Sequence, residues 1–384
     1  MSNVVKNNLS YDCVGNTHIE NEMAVSGKAI KNRRDQIDEN DLLNLSNNLN
    51  TFVYNYINTD PLNKLKPKIF AVDGSKMNLP IEMKKEKYRT SKNETFCIGS
   101  ITTLYDVVNN IAISSELTNN ENERQSFIDH NLKYVKENDI IIFDAGYYSH
   151  HLVQTLNKRH IKYIFRLPCN LNIVKNMCVS DDKIQYVDEC KLRTVKYKIN
   201  DTVYYMATNL YDNNKYKVDI IKELYHMRWQ IEVFYMFLKH KYNFNHIHSR
   251  KEANIRKKLY INLIIMSTTR LLEIMAIRNY HLGSANKFRI NHTNSSNMVT
   301  TTVLKYLLLN DNKCNLILTI NEVIKRISKT GCNINNNRNN KHICINPIFV
   351  SYYRKFNSND EIKKAPNISN TSVKISSNET IYFD

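Results

Sequence analysis

Along the middle of the chain, short apolar runs alternate with stretches whose apolar positions recur at helical spacing. Ile69-Phe70-Ala71-Val72 is one such run, closed by Asp73-Gly74. ETFCIGSITTLYDVV and NIAISSELT flank Asn109-Asn110 and read as paired strands, and ERQSFIDHNLKYV reads as an amphipathic helix. DIIIFDAGYYS is then a fully apolar strand that stops at Asp144 and Gly146. HHLVQTLNKRH follows as a short helix, and IKYIFRLP as a buried strand broken at Pro168. Elements in this order predict an α/β fold, a sheet of mixed direction with helices packed on it.

From Cys169 to Leu210 the pattern returns to β, with VKYKI and TVYYMATNL on either side of a hairpin turn at Asn200-Asp201. Helical spacing then runs from Val218 to Ile277. The expected organisation is a polar N-terminal region (1–60) and a first core part (61–168) starting near Pro61. A β-rich insertion subdomain (169–215), a helical second core part (216–280) and an Asn-rich C-terminal region (281–384) complete it. Residues 1–40 read as irregular, only Leu42–Ile57 has helical spacing, and the tail from Asn357 is expected to stay disordered.

The long helical stretch carries a second pattern. Tyr225, Arg228, Glu232 and Lys239 lie at offsets of three, seven and fourteen, which on an α-helix confines them to an arc of roughly 60°. Leu224, Met227, Ile231, Phe234 and Leu238 occupy an adjacent arc of about 80°, the expected core face. The polar stripe should therefore border the buried face, where a carboxylate can be held at the edge of a cleft. Taken singly these residues are ordinary: Arg228/Glu232 is an i,i+4 pair worth a few tenths of a kcal/mol, and Asp before Gly suits a strand end. What points to chemistry is their combination, two aspartates closing core strands and one glutamate on a helix packed against the same sheet.

Three converging carboxylates repel one another unless a cation sits among them. Mg²⁺ suits such a set, being a hard ion that prefers carboxylate oxygens and retains waters or phosphate oxygens. Two ions about 3.5–4 Å apart would activate a nucleophile and stabilise the leaving oxygen of a displacement at phosphorus. Asp73 would bridge both, Asp144 and Glu232 would each hold one, and Mn²⁺ is expected to substitute. Tyr225, Arg228 and Lys239 would then face a phosphate backbone.

Charge agrees with a polyanionic partner. The 384 residues include 54 Lys+Arg against 37 Asp+Glu, a formal +17, which favours nucleic acid and then an anionic membrane surface. The longest apolar run, Leu259 to Ser267, is far below the roughly 20 residues a spanning helix needs, and Met1 to Ser10 lacks the core of a signal peptide. No membrane partner is expected. Lys84, Lys85, Lys87 and Arg89, and again Arg250, Lys251, Arg256, Lys257 and Lys258, fit a DNA path. The eight cysteines include no C-x-x-C pair and read as reduced thiols; Cys332, His342 and Cys344 read as a chance grouping, and His246 and His248 as loop histidines.

The spacing Tyr225-x2-Arg228-x3-Glu232-x6-Lys239, within YHMRWQIEVFYMFLK, resembles the Y-R-E-K signature of IS4-type bacterial transposases. AVDGS at Asp73 and FDAGYYS at Asp144 look like that family's first two catalytic motifs, and the β insertion is similar in place; the resemblance spans roughly Lys66 to Arg270. It implies an RNase H-like fold, hydrolytic cleavage at the ends of a mobile element, and strand transfer by the freed 3′-hydroxyl at one Mg²⁺-dependent site. It also implies double-stranded DNA as partner, a homodimer in the synaptic complex, and a cytoplasmic or nucleoid location if bacterial. Tyr225, Arg228 and Lys239 would hold DNA phosphates near the cleaved end. Trp229 reads equally as a packing residue or a base-stacking one. The chain departs from the family in its weakly patterned N-terminal region, where members carry a substantial helical unit that reads terminal repeats. A non-catalytic DNA-binding relative and a different RNase H-like nuclease are the alternatives.

Overall fold

The computed structural model describes residues 26–59, 67–119, 122–175, 182–187, 190–199, 201–247, 249–280, 288–309 and 313–333. Two helices come first, α1 (Gly27–Gln36) and α2 (Glu39–Ile57), each started by a side-chain cap: Ser26 accepts from the Ala29 N–H, and Asp38 from the Asn40 N–H. The sheet begins with β1 (Ile69–Leu79), β2 (Arg89–Thr90), β3 (Cys97–Asp106) and β4 (Ile111–Thr118). A one-turn α3 (Glu123–Ser126) leads through a wider, π-type turn (Phe127–Asn131) to β5 (Ile140–Phe143), α4 (His150–Lys158) and β6 (Lys162–Arg166). After α5 (Asn172–Lys175) come β7 (Asp182–Val187), β8 (Cys190–Ile199) and β9 (Thr202–Thr208).

The chain closes with helices: α6 (Val218–His226), α7 (Trp229–Met236), α8 (Glu252–Tyr280), α9 (His292–Met298), α10 (Leu304–Leu309) and α11 (Lys313–Ser328). β1, β3 and β4 form an antiparallel meander, and β5 and β6 run parallel to β1 on its other side. This is an RNase H-like sheet. The insertion strands do not stand apart from it: β9 pairs with β6, then β8 and β7 follow antiparallel, in one nine-stranded sheet.

Side-chain alternation explains how both faces are covered. Phe70 and Val72 of β1 and Phe143 of β5 enter one core with Phe127, Leu152 and Leu156, where Phe143 stacks on Phe165 with ring centroids 4.5 Å apart. Ala71 enters the opposite core with Ile231, Phe234 and Leu238 of the signature region and Leu259 and Leu263 of α8. Ile142 enters a third cluster with Ile221 and Tyr225 of α6. Asp73 continues the Ala71 face and Asp144 the Ile142 face, so both aspartates point toward the layer of α6 and α7.

Several expectations need correction. The apolar run at Ile69 was expected to end at Asp73, but β1 continues to Leu79, because its antiparallel partner β3 is long enough to pair with it as far as Cys97. Only the parallel pairing with β5 stops at Val72. Residues 27–36 are helical rather than irregular, and α2 belongs to the core, burying Val53 and Ile57 against Leu271 of α8; Pro61 lies outside the described residues. The polar region after residue 280 contributes α9, α10 and α11; Val299 and Val303, in a π-type turn between α9 and α10, and Ile327 of α11 close on Leu272 and Ala276. The expected disorder from Asn357, the Cys332/His342/Cys344 grouping, His248 and Asn200 of the hairpin turn lie outside what can be described, apart from the backbone of Cys332. His246 is an exposed loop residue.

By length and mean hydropathy α8 would suffice to cross a membrane, although only half of its most apolar window is buried in the protein. It is built as a core helix. Lys257 is buried with its ammonium on the Arg34 carbonyl (3.1 Å), and Glu273 is buried against His292 Nδ1 (2.9 Å).

Candidate active site

Because β1 outruns β5, a notch opens in the sheet where parallel pairing ends. Asp73 and Asp144 are the next residues on the two neighbouring strands after the last pair, Val72 and Phe143. The expected single helix over Tyr225 to Lys239 is broken. α6 ends at His226, Met227 and Arg228 form a turn, α7 starts at Trp229, and Phe237–Lys241 widens to a π-type turn. The four residues of the stripe are therefore spread over three consecutive helical segments and the turn between the first two.

Arg228 stands at the centre. Its guanidinium is 3.6 Å from Asp73 Oδ2 and closely paired with Glu232 Oε1. Burial works to lower its pKa, but Tyr225, Glu232, Asp73 and Asp144 outweigh burial and raise it. The Tyr225 hydroxyl donates to Asp144 Oδ1 at 3.4 Å, and its own pKa is pushed up to about 12, by burial first and by Asp144 against the opposing Arg228. Burial likewise pushes Asp73 up to about 6; Arg228 and the Gly74 N–H oppose this, while Glu123 and Asp144 add to it. The Tyr235 hydroxyl donates to the Asp73 carbonyl at 2.8 Å and fixes the strand under the carboxylate.

All three acids and the tyrosine and arginine are thus gathered at one notch. Asp73 and Glu232 contact the guanidinium while Asp144 acts on it only through its charge, and among the described residues no three Asp, Glu, His or Cys side chains stand at the spacing of a closed metal cage. Lys239 is placed differently: its ammonium donates to the Lys76 carbonyl of β1 at 2.7 Å, and burial lowers its pKa while Asp73 opposes. Trp229 is half exposed on α7, three residues before Glu232. Of the second basic cluster, Arg256 pairs with Glu116 and Glu252, and Lys258 donates to the Asn243 and His246 carbonyls, burial lowering its pKa to about 8. With Lys257 also turned inward, that cluster serves the fold more than an outer path, and only Arg250 and Lys251 remain largely exposed.

Three residues here escaped the sequence reading. Arg166, at the end of β6, sits 3.9 Å from Asp144 Oδ1 and lies over the Tyr204 ring. The Tyr147 hydroxyl is buried near Glu123 and Asp73. Glu123 looks like any first-turn acid behind an Asn122 cap. One signal was available for it, a glycine inside a strand at Gly74, which marks a close approach.

The sequence model of the transposase DDE domain matches residues 64–267. The chain belongs to the DDE transposase family. A Synechocystis relative, assigned as the transposase of insertion sequence element IS4SA, is 26% identical to this transposase-family chain over 147 residues, 36% of this chain and 42% of the relative. The matched part thus spans less than half the relative's length. Among solved structures, the piggyBac transposase synaptic complex with hairpin DNA matches at 12% identity with a TM-score of 0.41, covering 67% of this chain and 58% of that one. The fold assignment rests on the strand order described above.

Proposed function

We propose that this transposase cleaves double-stranded DNA at the ends of a mobile element and transfers the freed 3′-hydroxyl into a second duplex. The observation that carries the reading is the meeting of Asp73 and Glu232 on the half-buried Arg228, with Asp144 held beside them by Tyr225 at the end of the parallel strands.

The donor set fits hard divalent ions. It offers carboxylate oxygens only, and burial disfavours the charged form of Asp73 even with a guanidinium alongside. Asp73, Asp144 and Glu232 would hold Mg²⁺ or Mn²⁺, which when bound supplies Lewis-acid stabilisation for displacement at phosphorus. Arg228, released from the acids, turns its planar fork to a DNA phosphate. Tyr225 and the ammonium of Lys239 flank the same backbone, and Tyr235 keeps Asp73 in place. Bringing two element ends together calls for at least a homodimer, and the protein would reside with DNA, in the nucleoid if the host is bacterial.

The full chain, incubated with Mg²⁺ or Mn²⁺ and DNA carrying the repeats that flank its reading frame, is expected to nick those ends and join them to a target duplex. Tight binding to the repeats with neither nicking nor joining in either metal would reject the proposal.

A second expectation concerns Arg228. Removing it in Arg228→Ala leaves two carboxylates facing each other, so stability in EDTA should fall by about 1–3 kcal/mol. Adding Mg²⁺ should raise the melting temperature of the variant more than that of the parent, since a cation then relieves the same repulsion. Equal metal-induced shifts in calorimetry would rule this account out.

A further inference from the structure

We infer that Glu123 is a fourth carboxylate of the metal site, reaching the notch from the sheet face opposite Glu232. The inference rests on the proposed function, because it concerns the same ions.

Gly74 follows Asp73 on β1 and points to the other face by strand alternation, the side on which α3 packs. There the Glu123 carboxylate lies directly against the glycine. A Cβ built on Gly74 would fall 2.5 Å from Glu123 Cδ and 2.7 Å from its Oε1. No other residue leaves that space open, so the missing side chain is what admits Glu123 beside Asp73. On this edge β1 has no β5 partner, β5 having ended at Phe143, and a carboxylate from one face can meet those from the other.

An independent observation points to a ligand there. Tyr147, 2% exposed, makes no hydrogen bond of ordinary length through its hydroxyl, a rare condition for a buried polar group, and that hydroxyl faces Glu123 and Asp73. A ligand oxygen held between Glu123 and Tyr147 would satisfy it. The acids are then divided about the sheet, Asp73 and Asp144 on adjacent strands, Glu232 on one side and Glu123 on the other. Such a ring suits an ion that needs oxygen donors from several directions. Glu123 acts here as a metal-positioning residue and is assigned no proton transfer.

The test measures metal binding by the full chain without DNA, using Mn²⁺ in calorimetry and Tb³⁺ luminescence sensitised by Trp229, the only tryptophan. Glu123→Gln should weaken Mn²⁺ binding about 10- to 100-fold, the range typical when a site loses a supporting group. Gly74→Ala, which pushes the carboxylate aside, should do the same, and combining the two should add little. Glu123→Asp, keeping the charge on a shorter stem, should recover part of the affinity. A purely structural Glu123 would lower the melting temperature of Glu123→Gln and leave its Mn²⁺ affinity at the parent value; that result overturns the inference. Asp73→Asn separates the two levels: if it also binds Mn²⁺ as the parent does, the metal site itself is wrong, whereas loss in Asp73→Asn alone rejects only Glu123.

Discussion

Asp73→Ala is expected to abolish DNA nicking and joining, by at least about 10³-fold, while the protein still folds and still binds DNA. Asp73 is the residue on which the site turns. It pairs with Arg228 at 3.6 Å, and its pKa is affected by both Glu123 and Asp144. Removing it eliminates one donor and lets Arg228 settle entirely on Glu232, so the remaining acids no longer face a shared centre. Its backbone remains held by β3 and by the Tyr235 hydroxyl, which is why the fold should survive. Cleavage of a labelled element end, followed on a denaturing gel beside a binding assay, reads both quantities. Cleavage within tenfold of the parent would mean that the reaction is carried elsewhere.

Arg193→Ala should cost about 3–5 kcal/mol, the range for breaking a buried ion pair on one side. Arg193 is 1% exposed on β8, and each of its donors is placed. Nε and Nη2 take Asp182 of β7 as a fork at 2.8 and 2.6 Å, while Nη1 donates to the Leu210 and Tyr216 carbonyls at 2.8 and 2.7 Å. Alanine leaves a cavity, a carboxylate without its partner and two bare carbonyls. Lysine should recover only part of the loss, because an ammonium lacks the fork. The carbonyls belong to the segment leading into α6, which carries Tyr225, so the variant should also weaken DNA binding. Urea unfolding gives the stability change, and a loss below about 1 kcal/mol would contradict the assignment.

The strands legible in the sequence were those with strong local patterns. Ile140–Phe143 is an uninterrupted apolar run and Lys162–Arg166 has the apolar centre Tyr163-Ile164-Phe165, and the β3–β4 turn announces itself with Asn109-Asn110, where Asn110 takes a left-handed φ of 56° and Asp106 accepts from the Val108 and Asn109 N–H groups. The length of β1 was not legible, because its second half pairs on one side only and its Lys76 and Asn78 dilute the apolar signal. Nor was the break at Met227, since neither glycine nor proline marks it. Asp73, Asp144, Glu232, Arg228, Tyr225 and Lys239 could be singled out as candidates from type and spacing, and their role is the proposal made above. Glu123 could not, because what brings it in is a gap on another strand 49 positions earlier, and spacing along one helix carries no record of that.

The union of insertion and core has a mechanical consequence. With β7, β8 and β9 hydrogen-bonded onto β6, the described strands form a single plank from β4 to β7 that includes the strand leading to Asp144. A load applied at Tyr186 or Ile184, exposed on the outermost strand, is therefore carried across four ladders as tilt. A partner that seized that rim would be expected to move the aspartate with it.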